Sequence, residues 1–337
     1  MSVFILTGPT ASGKSAVALE VAPRLNAEIV SADSMQVYRG MDIGTAKPSP
    51  EERARVRHHL IDIRDPWESF SVADFIREAE AAIAEIHSRR RTALIVGGTP
   101  MYIKGFVKGL FSGPAADWAL RRDLMARAER DGVPALHAEL ARLDPPAARR
   151  IHINDLRRIV RALEVYAKTG RPISEQQREW GAETSQRDVR GVILARKRED
   201  ICARIDRRVE EMFRCGLAER GQDRARLVEE VRRLLSHPNG LGREARQALG
   251  YKEVIEHLEG KRDLPDTIAL VKLKTRQFAK RQMTWFRSFK DFAWVEACPE
   301  RFDVAHRPEH VEGRGRRAAP DAATSSLAQE VLKAFGQ

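Results

Sequence analysis

Eight residues near the N-terminus, Gly8-Pro9-Thr10-Ala11-Ser12-Gly13-Lys14-Ser15, constrain this chain more than any other stretch. They follow the phosphate-loop spacing of Gly, four residues, then Gly-Lys-Ser/Thr. The apolar run Val3 to Leu6 before them predicts a buried strand, and Ala16 to Leu25 after them predicts a helix. In that setting successive backbone N–H groups and the helix N-terminus converge on a phosphate. Lys14 reaches the terminal phosphate, and the Ser15 hydroxyl is placed to ligate Mg²⁺. The whole run Gly8, Pro9, Thr10, Ala11, Ser12, Gly13, Lys14 and Ser15 is therefore the expected seat of a phosphate- or pyrophosphate-bearing compound.

A second apolar run, Ala27 to Val30, ends in Ser31-Ala32-Asp33-Ser34-Met35-Gln36. In a parallel sheet its tip lies at the same carboxyl edge as the phosphate loop, where such folds bind ligands. Asp33 is thus a candidate general base, with a turn-forming role as the alternative. His59 to Ile63 and Thr92 to Val96 are further strand candidates, and the helix starting after Ser71 carries a capping box with Asp74. The strand at Thr92 ends in Gly97-Gly98-Thr99 without the acid that a hydrolytic phosphate-loop enzyme places there to hold Mg²⁺. This favours a transferase over an ATPase or GTPase. Thr99 is a pocket candidate or a helix N-cap.

From about Ala119 to Arg187 the strand signals vanish. Helices are expected over Arg121 to Arg130, Pro134 to Leu143 and Asp155 to Thr169, with Gly170 as a stop. Arg149, Arg150, Arg157, Arg158, Arg161, Lys168, Arg171 and Arg178 make this segment basic. Gly191 to Arg196 looks like a return strand, followed by a helix over Glu199 to Phe213 that carries Arg204, Arg207 and Arg208. Ala218 to Ser236 reads as a highly charged helix. Thr267 to Lys290 reads as one long helix without an acid, its cations interleaved with Phe278, Trp285, Phe286 and Phe289; the aromatics are expected mostly in the core. Cations beside aromatics also suit single-stranded nucleic acid. The net charge of +11 in 337 residues points the same way, toward an anionic partner. Cys202, Cys215 and Cys298 have no metal spacing, which suits a reduced, cytoplasmic protein. No run reaches membrane-spanning length.

The fold expected is α/β: a P-loop NTPase-like parallel sheet flanked by helices, with an all-helical insertion domain. The expected divisions are 1–118 for the first part of the core, 119–187 for the insertion, 188–300 for the second part of the core and 301–337 for a disordered tail, within which Leu327 to Phe335 could form one weak helix.

Gly8 to Ser15, the long run from Ser31 through Thr45-Ala46-Lys47-Pro48, His59 to Asp62, Val96 to Thr99, Ile151 to Val165, Ala248 to Glu253 and Thr275 to Phe286 together resemble the tRNA dimethylallyltransferases, also called tRNA isopentenyltransferases. The likeness runs to about Trp294. It implies transfer of a dimethylallyl group from its pyrophosphate to N6 of the adenosine 3′-adjacent to the anticodon, with Mg²⁺ present, by a cytoplasmic monomer. By that resemblance Asp33 takes the N6 proton, Thr10 and Lys14 belong to the donor site, and Arg208 clamps the pyrophosphate. The implied contacts to the tRNA anticodon stem-loop are Asp33, Ser34, Met35, Gln36, Thr99, Arg157, Arg158, Ile159, Val160, Arg161, Gly250, Tyr251, Lys252, Lys280, Arg281 and Gln282. The target base is expected to flip out of its stack into a channel between core and insertion. The alternatives are an isopentenyltransferase acting on free adenine nucleotides and a P-loop small-molecule kinase. Three departures from the family pattern stand out: Pro100 after Gly-Gly-Thr, a longer segment over Gly216 to Val228, and an unmatched tail beyond about Arg301.

Overall fold

The computed structural model describes residues 2–109, 113–182, 188–214, 226–297 and 322–337. The chain forms two compact units, Met1–Ile103 with Arg187–Gln337 and Lys104–Gln186. The first part of the larger unit runs β1 (Val3–Thr7), α1 (Lys14–Arg24), β2 (Ala27–Ser31), α2 (Pro50–Arg55), β3 (His58–His59), α3 (Val72–Ser88), β4 (Thr92–Gly97) and α4 (Pro100–Lys108), the last crossing the boundary. Its second part is β5 (Val189–Ala195), α10 (Arg198–Phe213), α11 (Arg226–Ser236), α12 (Arg243–Arg246), α13 (Tyr251–Leu258), α14 (Leu264–Phe286), β6 (Ala293–Glu296) and α15 (Ala322–Ala334). The smaller unit holds α5 (Trp118–Asp131), α6 (Val133–Leu143), α7 (Pro145–Arg150), α8 (Leu156–Thr169) and α9 (Ile173–Ala182).

The strands form one six-stranded sheet in the order β3-β2-β4-β1-β5-β6, and every pairing is parallel. β1 is buried at all five residues, as a strand covered on both faces must be, and this explains its unbroken apolar sequence. Because all strands run the same way, the phosphate loop after β1, Asp33 after β2, Thr99 after β4 and Arg196 after β5 share one sheet edge. α1 packs on one face with Val17, Leu19 and Val21 against Phe4, Leu6 and Ile29.

Three expectations need correction here. The strand foreseen over His59 to Ile63 stops at His59, because Leu60 and Asp62 take left-handed φ values of 63° and 57° that break the ladder. The helix expected over Leu327 to Phe335 is present as α15 but begins five residues earlier, at Ala322, inside the stretch expected to be disordered; its Leu327, Ala328 and Val331, with Phe335 just after it, complete the α1 side of the core, and Phe335 meets Phe4 edge to face at 4.8 Å. Residues 298–321 lie outside the description, as do Cys215, Cys298, the Arg178 side chain and most of the lengthened 216–228 segment. The long basic helix starts at Leu264 rather than Thr267, with Asp263 as its N-cap, so it includes Asp266 in its first turn, and it ends at Phe286. β6 was not foreseen. Only its Val295 is buried, as befits a four-residue edge strand with little apolar signal.

The helical unit is a separate body with its own core of Leu124, Leu136, Leu140, Ile159, Leu163 and Val165. It begins at Lys104 rather than 119. Asp155 caps α8 by accepting from Arg158 N–H, and Gly170 ends it at φ 69°, a conformation glycine takes without strain.

Candidate active site

The carboxyl edge of the sheet opens into a cavity of about 560 Å³, and all its lining residues belong to the first unit. Thr10, Lys14, Ser15, Asp33, Ser34, Met35, Gln36, Thr99, Arg208, Gly250, Tyr251, Lys252, Arg281 and Gln282 line it, so six stretches far apart in sequence meet there. Its other wall is apolar, with Ile205, Val209, Met212, Val271 and Phe278.

The phosphate loop forms one side. Gly8, at φ 155°, lies so close to β5 that a Cβ would fall 2.5 Å from the Leu194 carbonyl oxygen, so this position needs glycine. Ser12 N–H donates to Pro9 O at 3.2 Å and Lys14 Nζ to the same oxygen at 3.3 Å. Donors that a phosphate would require already converge there. The buried Ser12 Oγ has no hydrogen-bond partner, consistent with a polar ligand nearby. Desolvation lowers the Lys14 ammonium from its usual range to about 8, against the attraction of Asp33 and with the help of Arg208. Desolvation also lowers Arg208, opposed by Asp33. Asp33, Lys14 and Arg208 therefore form one electrostatic group.

Asp33 forms the turn and also faces the cavity, the place a general base would need. Its Oδ1 accepts Met35 N–H at 2.9 Å and Gln36 N–H at 3.3 Å, which is the turn-forming role, while the residue also lines the cavity. Thr99 likewise serves twice: its carbonyl accepts Tyr102 N–H and Ile103 N–H at the start of α4, and its Oγ1 accepts Ser34 N–H at 3.2 Å. Of the three arginines on α10 singled out from sequence, Arg208 alone lines the cavity; its Nη1 lies 3.5 Å from Thr10 Oγ1 and its Nη2 3.5 Å from Thr45 O.

A model of the IPP transferase family matches residues 36–289. The chain belongs to the IPP transferase family. Its curated relatives include a tRNA dimethylallyltransferase of Geobacter metallireducens, 49% identical over 302 residues that cover 89% of this chain and 94% of the relative. Another, from Thermotoga neapolitana, is 45% identical over 296 residues, 87% of this chain and 92% of the relative. Among solved structures, the tRNA isopentenylpyrophosphate transferase of Bacillus halodurans is 36% identical with a TM-score of 0.65 and covers 99% of this chain and 97% of that one. A eukaryotic dimethylallyltransferase described as acting on tRNA is 30% identical with a TM-score of 0.70, over 88% and 73% of the two chains.

In this IPP transferase several residues grouped above as tRNA contacts are buried or bonded within the protein. Ile159 and Val160 are buried in the core of the helical unit, because they fall on the inner face of α8. Arg161 donates to Glu164 and to Pro114 O, whereas Arg157 and Arg158 stay exposed. Tyr251 is fully buried and its hydroxyl donates to Glu230 at 2.6 Å. Gln282 is also buried: it accepts Thr10 N–H at 2.9 Å and donates to Gly98 O at 2.5 Å, tying the phosphate loop to the tip of β4. Lys280 is exposed but does not line the cavity. The cationic row of α14 is not uncompensated, since Arg276 forks onto Asp206 at 2.6 Å and Lys272 meets Glu210 at 2.6 Å, both acids of α10. Of its aromatics, Phe286 and Phe289 are buried while Phe278 and Trp285 are exposed, so the core expectation holds for two of the four.

Two important residues escaped the sequence reading. Glu230 accepts the N–H groups of Asp42, Ile43 and Gly44 and so fixes the loop that carries Thr45 into the cavity. The signal was present, because Glu230 sits on the apolar face of α11 with Leu227 and Leu234. Lys47, nearly fully buried, bonds Tyr38 O, Asp42 and Asp62 and pins the same loop from its other end. Among the described residues no helix is long and apolar enough to cross a membrane.

Proposed function

We propose that this IPP transferase moves a dimethylallyl group from dimethylallyl pyrophosphate to N6 of the adenosine 3′-adjacent to the anticodon of tRNA, releasing pyrophosphate. The observation that carries the reading is the meeting of Asp33, Lys14 and Arg208 around one cavity with an apolar wall. The allylic carbon–oxygen bond to pyrophosphate breaks, a bond from that carbon to N6 forms, and the amine proton passes to a carboxylate. N6 is a weak nucleophile because its lone pair is delocalised into the ring, so a positioned base that takes its proton lowers the barrier. Asp33 Oδ1 is occupied by two backbone N–H groups, which leaves Oδ2 to receive the proton. The phosphate-loop N–H groups, Lys14 and Arg208 offset the charge that grows on the leaving pyrophosphate. The apolar wall at Ile205, Val209 and Val271 accepts the five-carbon unit and limits water at the allylic centre.

A magnesium ion fits the donor set. Ser15 offers a hydroxyl at the first turn of α1, and among the described residues no group of three or more His, Cys, Asp or Glu forms a ready cage. The remaining ligands would be phosphate oxygens and water, the arrangement Mg²⁺ favours. When bound, the ion supplies positive charge to the pyrophosphate. Exposed Arg157 and Arg158 on the helical unit supply tRNA backbone contacts, and Arg281 and Lys252 supply cations at the cavity. We place the enzyme in the cytoplasm as a monomer. The test is incubation with undermodified tRNA and labelled dimethylallyl pyrophosphate, followed by nucleoside analysis. Label on N6 of the adenosine beside the anticodon is expected. Prenylation of free AMP at a rate comparable to tRNA would overturn the acceptor assignment, and ATP-dependent phosphorylation of a metabolite with no pyrophosphate released from the donor would overturn the reaction.

A further inference from the structure

Two arginines hold the phosphate loop by its backbone without lining the cavity. Arg204 Nε donates to Ala11 O at 2.8 Å, and Arg196 Nε donates to Ser12 O at 2.8 Å. Neither residue is among those lining the cavity, whereas Arg208, one turn along α10 from Arg204, is. Arg196 is buried and held in turn by Asp200, whose Oδ2 lies 2.5 Å from its Nη1. The two carbonyls belong to successive peptides at the most constrained part of the loop, where Ala11 takes a left-handed φ of 63° and Gly13 one of 92°. A side chain with a Cβ is disfavoured in that conformation, so something outside the loop must stabilise it.

Peptide geometry gives these bonds a consequence for the ligand. In a planar trans peptide the carbonyl and the following N–H point in opposite directions. A guanidinium on Ala11 O therefore orients Ser12 N–H, and one on Ser12 O orients Gly13 N–H, away from the arginines. Ser12 N–H is taken up by Pro9 O, the oxygen that Lys14 also reaches, which closes the turn; the donor that the arginine grip directs toward a ligand is Gly13 N–H, at the head of the helix N-terminus. We infer that Arg196 and Arg204 are positioning residues for the transfer reaction: they grip the carbonyl side of the phosphate loop so that its N–H groups are preset for the donor's pyrophosphate. The inference rests on the proposed donor site. It separates three arginines by task, with Arg208 facing the ligand and Arg204 and Arg196 acting through the backbone. Preorganised N–H donors avoid reorganisation when charge develops on the leaving group, which is where such dipoles contribute most.

The experiment compares the parent with Arg204→Ala, Arg204→Lys and Arg196→Ala, with Lys14→Ala alongside. It measures calorimetric affinity for inorganic pyrophosphate, KM for dimethylallyl pyrophosphate and for tRNA, kcat, and circular dichroism for folding. Arg204→Ala and Arg196→Ala are each expected to weaken pyrophosphate binding at least tenfold and to raise the donor KM, with the tRNA KM within twofold of the parent. Arg204→Lys is expected to recover most of the loss, because an ammonium can also donate to one carbonyl. Should Arg204→Ala not fold, Arg204→Gln carries the same expectation. Pyrophosphate affinity within twofold of the parent in the Arg204 and Arg196 variants, while Lys14→Ala loses it, overturns this inference and spares the donor site. Unchanged affinity in Lys14→Ala overturns the donor site and this inference with it.

Discussion

Replacing Glu164 by glutamine is expected to loosen the helical unit by about 3 kcal/mol at neutral pH, within the range measured when one partner of a buried ion pair is removed. The Glu164 carboxylate is fully buried and accepts from Asp117 N–H at 2.7 Å, from Arg121 through Nε and Nη2 at 2.8 Å each, and from Arg161 Nη1 at 2.5 Å. Burial by itself would raise its pKa; the bonds from Arg121, Arg161 and Asp117 outweigh that and hold it at about 2 rather than 4.5. That gap is equivalent to about 3.4 kcal/mol, or roughly a 300-fold change in an opening equilibrium. The sign follows from the depressed folded-state value: the stabilisation is complete above pH 4.5 and is lost as pH falls from there through about 2. At pH 3 about 1.4 kcal/mol of it should remain. Glutamine keeps the shape but turns an amide N–H₂ toward guanidinium donors and leaves two cations without their counter-charge. Hydrogen exchange read by mass spectrometry on peptides from α5 and α8 measures the opening free energy of this unit directly. Exchange in the variant should be some hundredfold faster at pH 7, with the gap narrowing as the pH is lowered toward 3. A gap of the same size at pH 7 and pH 3, or no gap at pH 7, would refute the electrostatic account.

Arg161→Gln should share this loss of stability, whereas Arg157→Gln with Arg158→Gln should leave exchange unchanged, weaken tRNA binding and flatten its log-salt slope by roughly 1.5 to 2, as filter binding across a salt series would show. Asp33→Asn is expected to lower kcat by about 10²-fold or more while pyrophosphate affinity holds, because it removes the proton acceptor and keeps the turn; stopped-time tRNA prenylation reads this, and full activity would remove Asp33 from the mechanism. Gln282→Leu leaves Thr10 N–H and Gly98 O without their partner and should cost about 1–3 kcal/mol; its effect belongs on donor KM, and a selective rise in tRNA KM would show Gln282 to be an RNA contact after all. Gly44→Ala places a Cβ 2.4 Å from the Tyr251 ring, so the loop held by Glu230 must shift, and a fall in kcat/KM for tRNA is expected.

The phosphate loop, the central strands and the separate helical segment were legible in sequence because each has a local cause: a fixed glycine-lysine spacing, an unbroken apolar run, or a 3.6-residue period with a cap. Asp33 and Thr99 could be placed beside the loop because parallel strands bring their tips to one edge. What local pattern could not give was the partner of each charged group. Arg161 looks as exposed in sequence as Arg157, yet three positions further on lies a buried acid that claims it. Gln282 sits among cations on α14 and still ends under the phosphate loop, since only the docking of α14 brings it to Thr10, 272 positions away. The tail helix carries its apolar residues at too few positions to stand alone, and the uncovered face of α1 decides that it folds. The chain's own order of residues thus set which groups with this chemistry were present and which edge they share. Burial and long-range hydrogen bonding, which depend on contacts hundreds of positions apart, decided which of them face a ligand and which hold the site in shape.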